Sequence, residues 1–358
     1  MENLKKLRNG IDKIDDKLLD LLNKRARIVL EIGRIKRKEK ANFYSPEREK
    51  EIFDRLTSKN KGPFPNDALR IFFREILSAS LSLEEPLKVA CLGPLATFTH
   101  LAALKYFGAS ASVLPVEGIK DVFEYVHYGK SDFGVVPIEN SNEGVVSYTL
   151  DMFMDYDLKI VGEIMLKISH NLLSMTGEMS DIKKIYSHPQ ATAQCRRWLE
   201  QNLPGVPVHE TTSTAKAAEL ASRHEDSAAI ASEVAAKLYD LRFVEHTIED
   251  FKDNYTRFLI ISREQAKKSG RDKTSVMFSI KDKPGALFSI LEPFKQAKIN
   301  LTKIESRPSK RKAWEYIFFV DMVGHKDDKK VKRVLDGVKE HCLYLKILGS
   351  YPIGELND

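Results

Sequence analysis

Short polar clusters recur through the middle of the sequence, each beside a segment that predicts a strand or a helix. They occupy residues 93–99, 139–141, 187–191, 213–215 and 254–258. Strand ends and helix starts attract anions, so hydroxyl and amide side chains gathered there could hold a small acidic ligand. Each cluster alone is also explained by a helix cap or a turn. Five of them in one stretch favour a ligand site.

A second pattern with chemical meaning lies near the amino terminus. Apolar side chains follow a 3–4 spacing from Leu4 to Ile35, which predicts one long helix. Arg25 interrupts this apolar row, and Lys36 lies about 20° around the helix from it and about 16 Å along the axis. Two long cations on one face could converge on a small anion, although Arg25 could instead pair with a carboxylate inside a helix bundle.

The composition narrows the classes of protein. Hydrophobic residues are 42% and charged residues 30% of 358, which excludes a disordered or fibrous chain. No apolar run reaches the roughly 18 residues of a membrane span, and a charged helical pattern begins at once, so we expect no membrane segment and no secretory signal. Cys91, Cys195 and Cys342 are too scattered for a disulfide framework or a zinc site, so we expect a cytoplasmic protein without a metal.

Charge divides the chain into three blocks. The net charge is +5 for residues 1–85, −7 for residues 86–265 and +8 for residues 266–358. The basic residues are mixed with acidic ones and no aromatic residues interleave them, which argues against nucleic acid as a partner. Alternating charge therefore indicates three structural units.

The blocks differ in their predicted elements. The first contains helices only, with Ser45-Pro46 opening a second helix and Asn66 or Asp67 capping a third. The second alternates strands and helices, which predicts an α/β fold with parallel sheets. The third follows a β-α-β-β-α-β order, typical of a ferredoxin-like α+β fold.

One set of residues in the first block matches a known family. These residues are Leu7-Arg8, Asp16-Lys17-Leu18-Leu19, Arg25, Gly33, Lys36 and Pro46-Glu47-Arg48-Glu49. With them, residues 1–85 resemble the all-helical chorismate mutases, which rearrange a compact dicarboxylate without a base or a nucleophile. The resemblance implies the following pocket: Arg8, Arg25, Lys36 and Arg48 bind the substrate, Glu49 holds its hydroxyl, and Ser80 and Glu84 complete the site.

Catalysis there would come from holding the reactive conformer and stabilising charge on the breaking ether oxygen, and we assign this to Arg25, Lys36 and Glu84. Glu84 stands where the family commonly has Gln, so it must carry a proton to donate a hydrogen bond. We therefore expect the mutase activity to fall with rising pH as Glu84 ionises. Ser45 stands where Asp is common, which weakens one expected contact with a substrate hydroxyl.

The position of Arg8 predicts an oligomer. Arg8 lies 17 residues before Arg25, about 25 Å along a straight helix. The two cations of one helix therefore cannot share one small ligand. We predict a homodimer, or a dimer of dimers, whose mutase sites combine residues from two chains.

The polar clusters of the second block also resemble a family. With the triplet Thr256-Arg257-Phe258 as the most specific mark, residues 87–263 resemble the prephenate dehydratases. The resemblance implies two α/β lobes, like a periplasmic binding protein, with the site in the cleft. The chain would enter the second lobe near Ile168 and return near Asp250. Ala96 stands where glycine is common, so its methyl group would line the pocket.

The implied reaction removes a hydroxyl group and carbon dioxide together and needs neither metal nor cofactor. Thr256 would give or relay the proton, ahead of His188, with Glu139 as a possible helper. Arg257 would bind a carboxylate or orient the cleft. The remaining cleft residues would be Thr97, Asn140, Ser141, Gln190, Ser213, Thr214 and Phe258.

Two motifs sharpen the third block. Lys283-Pro284-Gly285-Ala286-Leu287 lies where a strand meets a helix, and Glu305-Ser306-Arg307-Pro308 ends the next strand. With these, residues 274–351 resemble phenylalanine-sensing ACT domains. The resemblance implies an L-phenylalanine site formed by Gly285, Ala286, Leu287, Glu305, Ser306 and Arg307.

Together the three blocks predict a bifunctional enzyme that takes chorismate to prephenate and prephenate to phenylpyruvate under feedback by L-phenylalanine. Alternatives remain at this point. The middle block could prefer arogenate, the aminated relative of prephenate. The chain could also be a ligand-sensing module whose helical block is only a dimer clamp.

Overall fold

The computed structural model describes residues 2–39, 44–280, 283–308, 316–354 and 356–357. Its chain divides into two compact units, one of residues Met1–Leu87 with Phe107–Ser112, and one of Lys88–Tyr106 with Val113–Asp358. No helix among the described residues is long and apolar enough to cross a membrane.

The helices are α1 (Glu2–Glu39), α2 (Pro46–Lys59), α3 (Asn66–Glu84), α4 (Phe98–Phe107), α5 (Ile119–His127), α6 (Ser147–Asp155), α7 (Pro189–Gln194), α8 (Arg196–Asn202), α9 (Thr214–Ala221), α10 (Glu233–Leu238), α11 (Ala286–Gln296) and α12 (Lys329–His341).

The strands are β1 (Lys88–Leu92), β2 (Ser112–Val116), β3 (Phe133–Asn140), β4 (Gly144–Val145), β5 (Lys159–Lys167), β6 (Asn171–Ser174), β7 (Lys184–Ser187), β8 (Val208–Glu210), β9 (Ser227–Ala231), β10 (Arg242–Glu245), β11 (Tyr255–Ser262), β12 (Asp272–Ile280), β13 (Leu301–Pro308), β14 (Tyr316–Val323), β15 (Cys342–Pro352) and β16 (Leu356–Asn357).

The first unit is helical, as predicted. The Ser45 side chain accepts a hydrogen bond from the Arg48 N–H and Pro46 is the first residue of α2, which confirms the predicted start of that helix. The N-cap of α3 is Pro65, and no side chain caps it, so the prediction of Asn66 or Asp67 as cap was wrong. Asn66 instead accepts a hydrogen bond from the Asn60 side chain at 2.7 Å.

The apolar row of α1 is largely exposed in a single chain. The large apolar side chains of α1 that face solvent are Leu4, Leu7, Ile11, Ile14, Leu18, Leu19, Leu21, Leu22, Ile28, Leu30, Ile32 and Ile35. A helix of 38 residues that leaves such a row in water lacks the packing that normally stabilises so long a helix.

The second unit begins with two lobes, as predicted. Lobe 1 is a sheet of order β16-β5-β11-β3-β1-β2, with β4 paired to β3, and lobe 2 is a sheet of order β10-β6-β9-β7-β8. The chain leaves lobe 1 after Lys167 and returns at Tyr255, close to the predicted crossings. The fold class is therefore that of a bilobal α/β domain.

The sheets are mixed, so the prediction of parallel sheets was wrong in part. Strand β11 is antiparallel to both β3 and β5, and β6 is antiparallel to β9 and β10. Lys167, which ends β5, pairs with Tyr255, which begins β11. Because the chain returns to lobe 1 where it left, β11 has to run back against β5.

The third sheet has the order β13-β14-β12-β15, and with α11 and α12 it gives the predicted β-α-β-β-α-β fold. Its apolar side chains continue the core of lobe 1. One buried cluster contains Val136 and Leu259 from lobe 1 together with Met277, Phe319 and Tyr351 from the third sheet. The sheet that carries β11 and the third sheet thus share a hydrophobic core.

Candidate active sites

Four predicted mutase residues meet between α1 and α3. The Lys36 ammonium donates to the Glu84 carboxylate at 3.1 Å, and the Arg25 guanidinium donates to the Ser80 hydroxyl. Ser80 in turn donates to the Ile76 carbonyl at 2.5 Å. Burial lowers the pKa of Arg25, and the nearby Glu84 carboxylate opposes that shift. Two of the four predicted cations, Arg25 and Lys36, are therefore half-buried beside Ser80 and Glu84.

Glu84 is held by its surroundings. Its side chain is only 6% exposed. A side chain at Gly33 would approach the Glu84 Cγ to 3.1 Å, so the absence of a side chain at this point of α1 makes room for the carboxylate. In the structure Glu84 accepts from Lys36, and its predicted donation to an ether oxygen stays a prediction.

The other predicted mutase residues lie elsewhere. Glu49 accepts a hydrogen bond from the Tyr44 hydroxyl at 3.2 Å. Burial raises the pKa of Glu49 to about 7, although Arg74 and the Tyr44 hydrogen bond act against this. Arg48 is exposed and pairs with Glu51 at 2.7 Å.

Arg8 is exposed on the first third of α1, and among the described residues of this chain it forms no ion pair with another predicted mutase residue. One chain thus brings four of the predicted mutase residues together, and two of the predicted cations, Arg8 and Arg48, lie apart from them.

Thr256 lies in a polar cluster at the junction of the two lobes. The Asn140 side-chain amide donates to the Thr256 hydroxyl at 2.9 Å and to the Asn254 side chain at 2.7 Å. The Oδ1 atom of the Asn140 side chain accepts from the backbone N–H groups of Asn142 and Glu143. These two backbone donors fix the orientation of the Asn140 amide.

This orientation has a chemical consequence for Thr256. Because Asn140 donates to the Thr256 oxygen, that bond does not use the hydrogen of the Thr256 hydroxyl. No acceptor for that hydrogen is found in the described part of the chain. The hydrogen of the hydroxyl is therefore left for a group that enters the cleft, and the role of Thr256 as proton donor stays a prediction.

Gln194 connects the cluster to lobe 2, and the sequence reading did not identify it. Its side-chain Oε1 accepts from the Asn254 side chain at 3.0 Å and lies 2.9 Å from the Nε2 atom of His170, while its side-chain amide donates to Glu143 at 2.9 Å. Since an amide oxygen only accepts, His170 must carry its hydrogen on Nε2. Burial lowers the pKa of His170, in keeping with a neutral ring.

A signal for Gln194 was present in the sequence. It lies four residues after Gln190, on the same face of α7. Asn254 lies in the polar cluster of residues 254–258, where its residue type alone does not reveal a contact with lobe 2. His170 follows a strand without a recognisable motif.

The other predicted cleft residues of lobe 2 have local partners. Ser213 caps α9 by accepting from the Lys216 N–H at 3.0 Å, and Thr214 is half-buried as the first residue of that helix. His188 caps α7 by accepting from the Gln190 N–H, and the Gln190 side chain is exposed. These contacts account for Ser213 and His188 as caps and leave their ligand roles as predictions.

The loop before α4 also has a structural account. The Thr97 hydroxyl donates to the Leu92 carbonyl at 3.0 Å and accepts from the His100 N–H at 3.3 Å. Ala96 has φ 68°, a left-handed conformation that explains why glycine suits this position. Its methyl group is fully buried against residues of lobe 2 such as Ala215, so the prediction that it lines the pocket was wrong.

Near Thr256, three predicted residues have contacts of their own. Ser141 donates to the Asp253 carbonyl at 3.1 Å and accepts from the Tyr255 N–H at 3.0 Å, which joins the end of β3 to the start of β11. Phe258 is buried in lobe 1. Arg257 donates to Glu163 at 2.7 Å and to Asp321 at 2.6 Å.

The Arg257 guanidinium is therefore engaged by protein groups. Of the two roles predicted for it, the structure favours orienting the cleft over binding a carboxylate.

The third block presents its two motifs differently. Gly285 has φ 78° and precedes α11, and among the described residues no atom lies within 4 Å of the place where a Cβ would stand. Ala286 is buried and Leu287 is half-buried. An open, side-chain-free helix start fits the approach of an amino acid to backbone groups.

On β13 the predicted ligand residues alternate. Glu305 and Arg307 are half-buried, whereas Ser306 is exposed. Arg307 pairs with Asp151 of α6 at 3.1 Å, so its guanidinium faces lobe 1. Among the described residues no group of His, Cys, Asp and Glu side chains could hold a metal ion.

Comparisons with known proteins agree with this layout. Family models match residues 7–85 (chorismate mutase type II), 89–266 (prephenate dehydratase) and 274–340 (ACT domain). The bifunctional chorismate mutase/prephenate dehydratase of Aquifex aeolicus is 53% identical over 98% of each chain, and that of Pseudomonas aeruginosa is 46% identical over 98% of each chain.

Among solved structures, a prephenate dehydratase from Arthrobacter aurescens in complex with L-Phe is 36% identical. It has a TM-score of 0.69 and covers 74% of this chain and 90% of its own. The chain is a chorismate mutase and a prephenate dehydratase, and it belongs to the family of bifunctional chorismate mutase/prephenate dehydratases.

Proposed function

We propose that L-phenylalanine, bound by the C-terminal domain, slows the dehydratase of this bifunctional enzyme. The match to an ACT domain supports the proposal, as does the similarity to a prephenate dehydratase found in complex with L-Phe. The open helix start at Gly285 suits an amino-acid ligand. Feedback would then act on the step that commits prephenate to phenylpyruvate.

For the dehydratase, the arrangement of Asn140 and Thr256 carries the proposal. The ring hydroxyl of prephenate takes the proton of Thr256 and leaves as water. The electron pair of the bond to the ring carboxylate moves into the ring, and carbon dioxide leaves. The Asn140 N–H, 2.9 Å from the Thr256 oxygen, stabilises the negative charge that grows there. This supplies the partner that a weak acid such as threonine requires.

For the mutase, we propose that two chains share each site. The groove of Arg25, Lys36, Ser80 and Glu84 holds the dicarboxylate, and Arg8 of a second chain closes it. The exposed apolar row of α1 supports a homodimer, because a second copy of the same row would bury it.

The experiment supplies chorismate to the purified protein without any cofactor, with and without L-phenylalanine. We expect phenylpyruvate to form and L-phenylalanine to suppress it. Accumulation of prephenate would remove the dehydratase assignment, and arogenate would be the next substrate to try. If the rate of phenylpyruvate formation is the same with and without L-phenylalanine, the feedback proposal is wrong, and the C-terminal domain would serve only in assembly.

A further inference from the structure

The two strands that carry the reacting residues present two different faces. In the pairing of β3 with β11, Asn140 lies opposite Thr256 and Glu139 lies opposite Arg257. Side chains alternate along a strand, so Asn140 and Thr256 share one face while Glu139 and Arg257 share the other. The pairing then shifts between Arg257 and Phe258, and such bulges commonly direct side chains beside a site.

The second face carries a buried set of charges, which we name the four-charge cluster: Glu163, Arg257, Lys273 and Asp321. Arg257 contacts Glu163 at 2.7 Å and Asp321 at 2.6 Å, and Lys273 contacts Glu163 at 2.8 Å. The four side chains are between 0 and 9% exposed. Two of the residues belong to lobe 1 and two to the third sheet.

The cluster is balanced and closed by hydroxyl groups. Two positive charges face two negative ones, so removing any one leaves an uncompensated buried charge. Arg257 also donates to the Tyr351 hydroxyl at 3.1 Å, and Ser275 lies 2.6 Å from that hydroxyl and donates to Asp321 at 2.5 Å. Burial disfavours the Arg257 charge, but Tyr351, Asp321 and Glu163 outweigh it and raise the Arg257 pKa well above its usual value.

A further ion pair joins the same face to β13, an edge strand of the third sheet. Glu139, the neighbour of Arg257 in the pairing, accepts from Lys303 of β13 at 2.8 Å. Lys273, Lys303, Asp321 and Tyr351 belong to β12, β13, β14 and β15. Every strand of the third sheet therefore contacts either the charged face of β3 and β11 or Glu163, which pairs with Arg257.

We propose that Arg257 is a positioning residue, and that the C-terminal sheet sets the place of the Thr256 hydroxyl through the four-charge cluster. Arg257 follows Thr256 directly, and β11 lies between β3 and β5, so a shift of the guanidinium is passed to Thr256 and to its 2.9 Å hydrogen bond with Asn140. L-phenylalanine slows the dehydratase when it favours an arrangement of the sheet that holds Arg257 differently. This route rests on the feedback proposed above.

The experiment compares two variants of the cluster in the full-length enzyme. Asp321→Asn leaves one positive charge in excess, whereas Lys273→Met with Asp321→Asn restores the balance and still removes the ion pair of Arg257 with the third sheet. L-phenylalanine binding is measured by calorimetry, and inhibition is measured as the ratio of dehydratase rates without and with saturating L-phenylalanine. We expect both variants to bind L-phenylalanine with a Kd within about threefold of the wild-type value. We expect their inhibition ratio to be at least about fivefold lower than that of the wild type.

A matched control distinguishes the four-charge cluster from other contacts between the third sheet and lobe 1. Lys346 of β15 donates to the carbonyls of Phe153 and Tyr156 at 3.1 and 2.9 Å, so it joins the same sheet to lobe 1 away from β11. Lys346→Met should keep the wild-type inhibition ratio. If Asp321→Asn fails to fold, Tyr351→Phe removes only one hydroxyl of the cluster and should weaken inhibition in the same direction.

Arg257→Lys separates positioning from ligand binding. A positioning role predicts that kcat falls by at least about tenfold while KM for prephenate stays within about twofold. A rise of KM with kcat unchanged would make Arg257 a substrate ligand and overturn the assignment. Cluster variants that are inhibited like wild type would overturn the route. If the wild-type enzyme does not bind L-phenylalanine, the feedback proposal fails, and the kcat and KM of Arg257→Lys still decide the positioning role.

Discussion

The helical unit and the two-lobed domain build their sites in opposite ways. Within one chain the residues of the candidate dehydratase site, Asn140, Thr256, Asn254 and Gln194, already form a connected cluster of hydrogen bonds between 2.7 and 3.0 Å. The mutase residues meet only in part, and Arg8 stands far along a helix whose apolar row is exposed. A cleft between lobes can gather its residues from one chain, whereas the proposed mutase site needs Arg8 from a second chain.

The largest expected effect separates the two activities. Thr256→Ala removes the proposed proton donor, so the dehydratase rate should fall by about 10³-fold while the mutase rate is unchanged. Thr256→Ser keeps a hydroxyl and should retain most of the activity. Both rates are measured on one preparation, and near-normal dehydratase activity of the alanine variant would remove Thr256 from the chemistry.

A smaller effect concerns the exposed row of α1. Leu18→Glu places a carboxylate where a second chain is expected to cover apolar side chains, so the mutase rate should fall at least about tenfold. The dehydratase rate should stay within about twofold. Asn23→Glu adds the same charge about 140° around the helix and should leave both activities near wild type. Equal effects of the two variants would argue against a covered row.

The smallest effect is on stability. The Glu49 pKa is about 7 in the folded chain, against an ordinary value of 4.5. Between pH 4.5 and pH 7, Glu49 is therefore protonated in the folded state and ionised in the unfolded state. The contribution of the neutral Glu49 side chain to the free energy of unfolding is complete below about pH 4.5. It is lost as the pH rises through about 7, and the total loss is up to about 3 kcal/mol.

Glu49→Gln should therefore match wild type at low pH and exceed it at pH 8, as measured by urea unfolding of the helical unit. Glu51→Gln, on an exposed side chain, is the control and should follow wild type at every pH. A wild-type curve that is flat across this range would show that Glu49 is not shielded from water.

Much of the fold could be predicted because many of its elements depend only on residues that are close together in the sequence. Ser45-Pro46 as a helix start and the β-α-β-β-α-β order of the third block needed only capping chemistry and periodicity. The direction of β11 could not be predicted, because a strand pattern carries no information on which neighbour it joins. That direction depends on the chain returning to lobe 1 beside Lys167.

The sites show the same limit. The residue types around Thr256 were visible in the sequence. The hydrogen bond from Asn140, however, depends on the register of two strands, and the two residues are 116 positions apart in the chain. The adjacency of Thr256 and Arg257 in the sequence suggested a shared cleft. In a strand, adjacent residues face opposite ways, and this is why Arg257 faces the third sheet instead.

The contrast between a self-contained cleft and a shared helical pocket is tested most directly by co-expressing Arg8→Ala and Arg25→Ala chains. Each variant alone should have almost no mutase activity. In the mixture about half of the dimers are mixed and each has one intact site, so about a quarter of the wild-type mutase rate should return. The dehydratase rate should be the same in all three preparations. A mixture that stays as inactive as its parents would contradict the shared site.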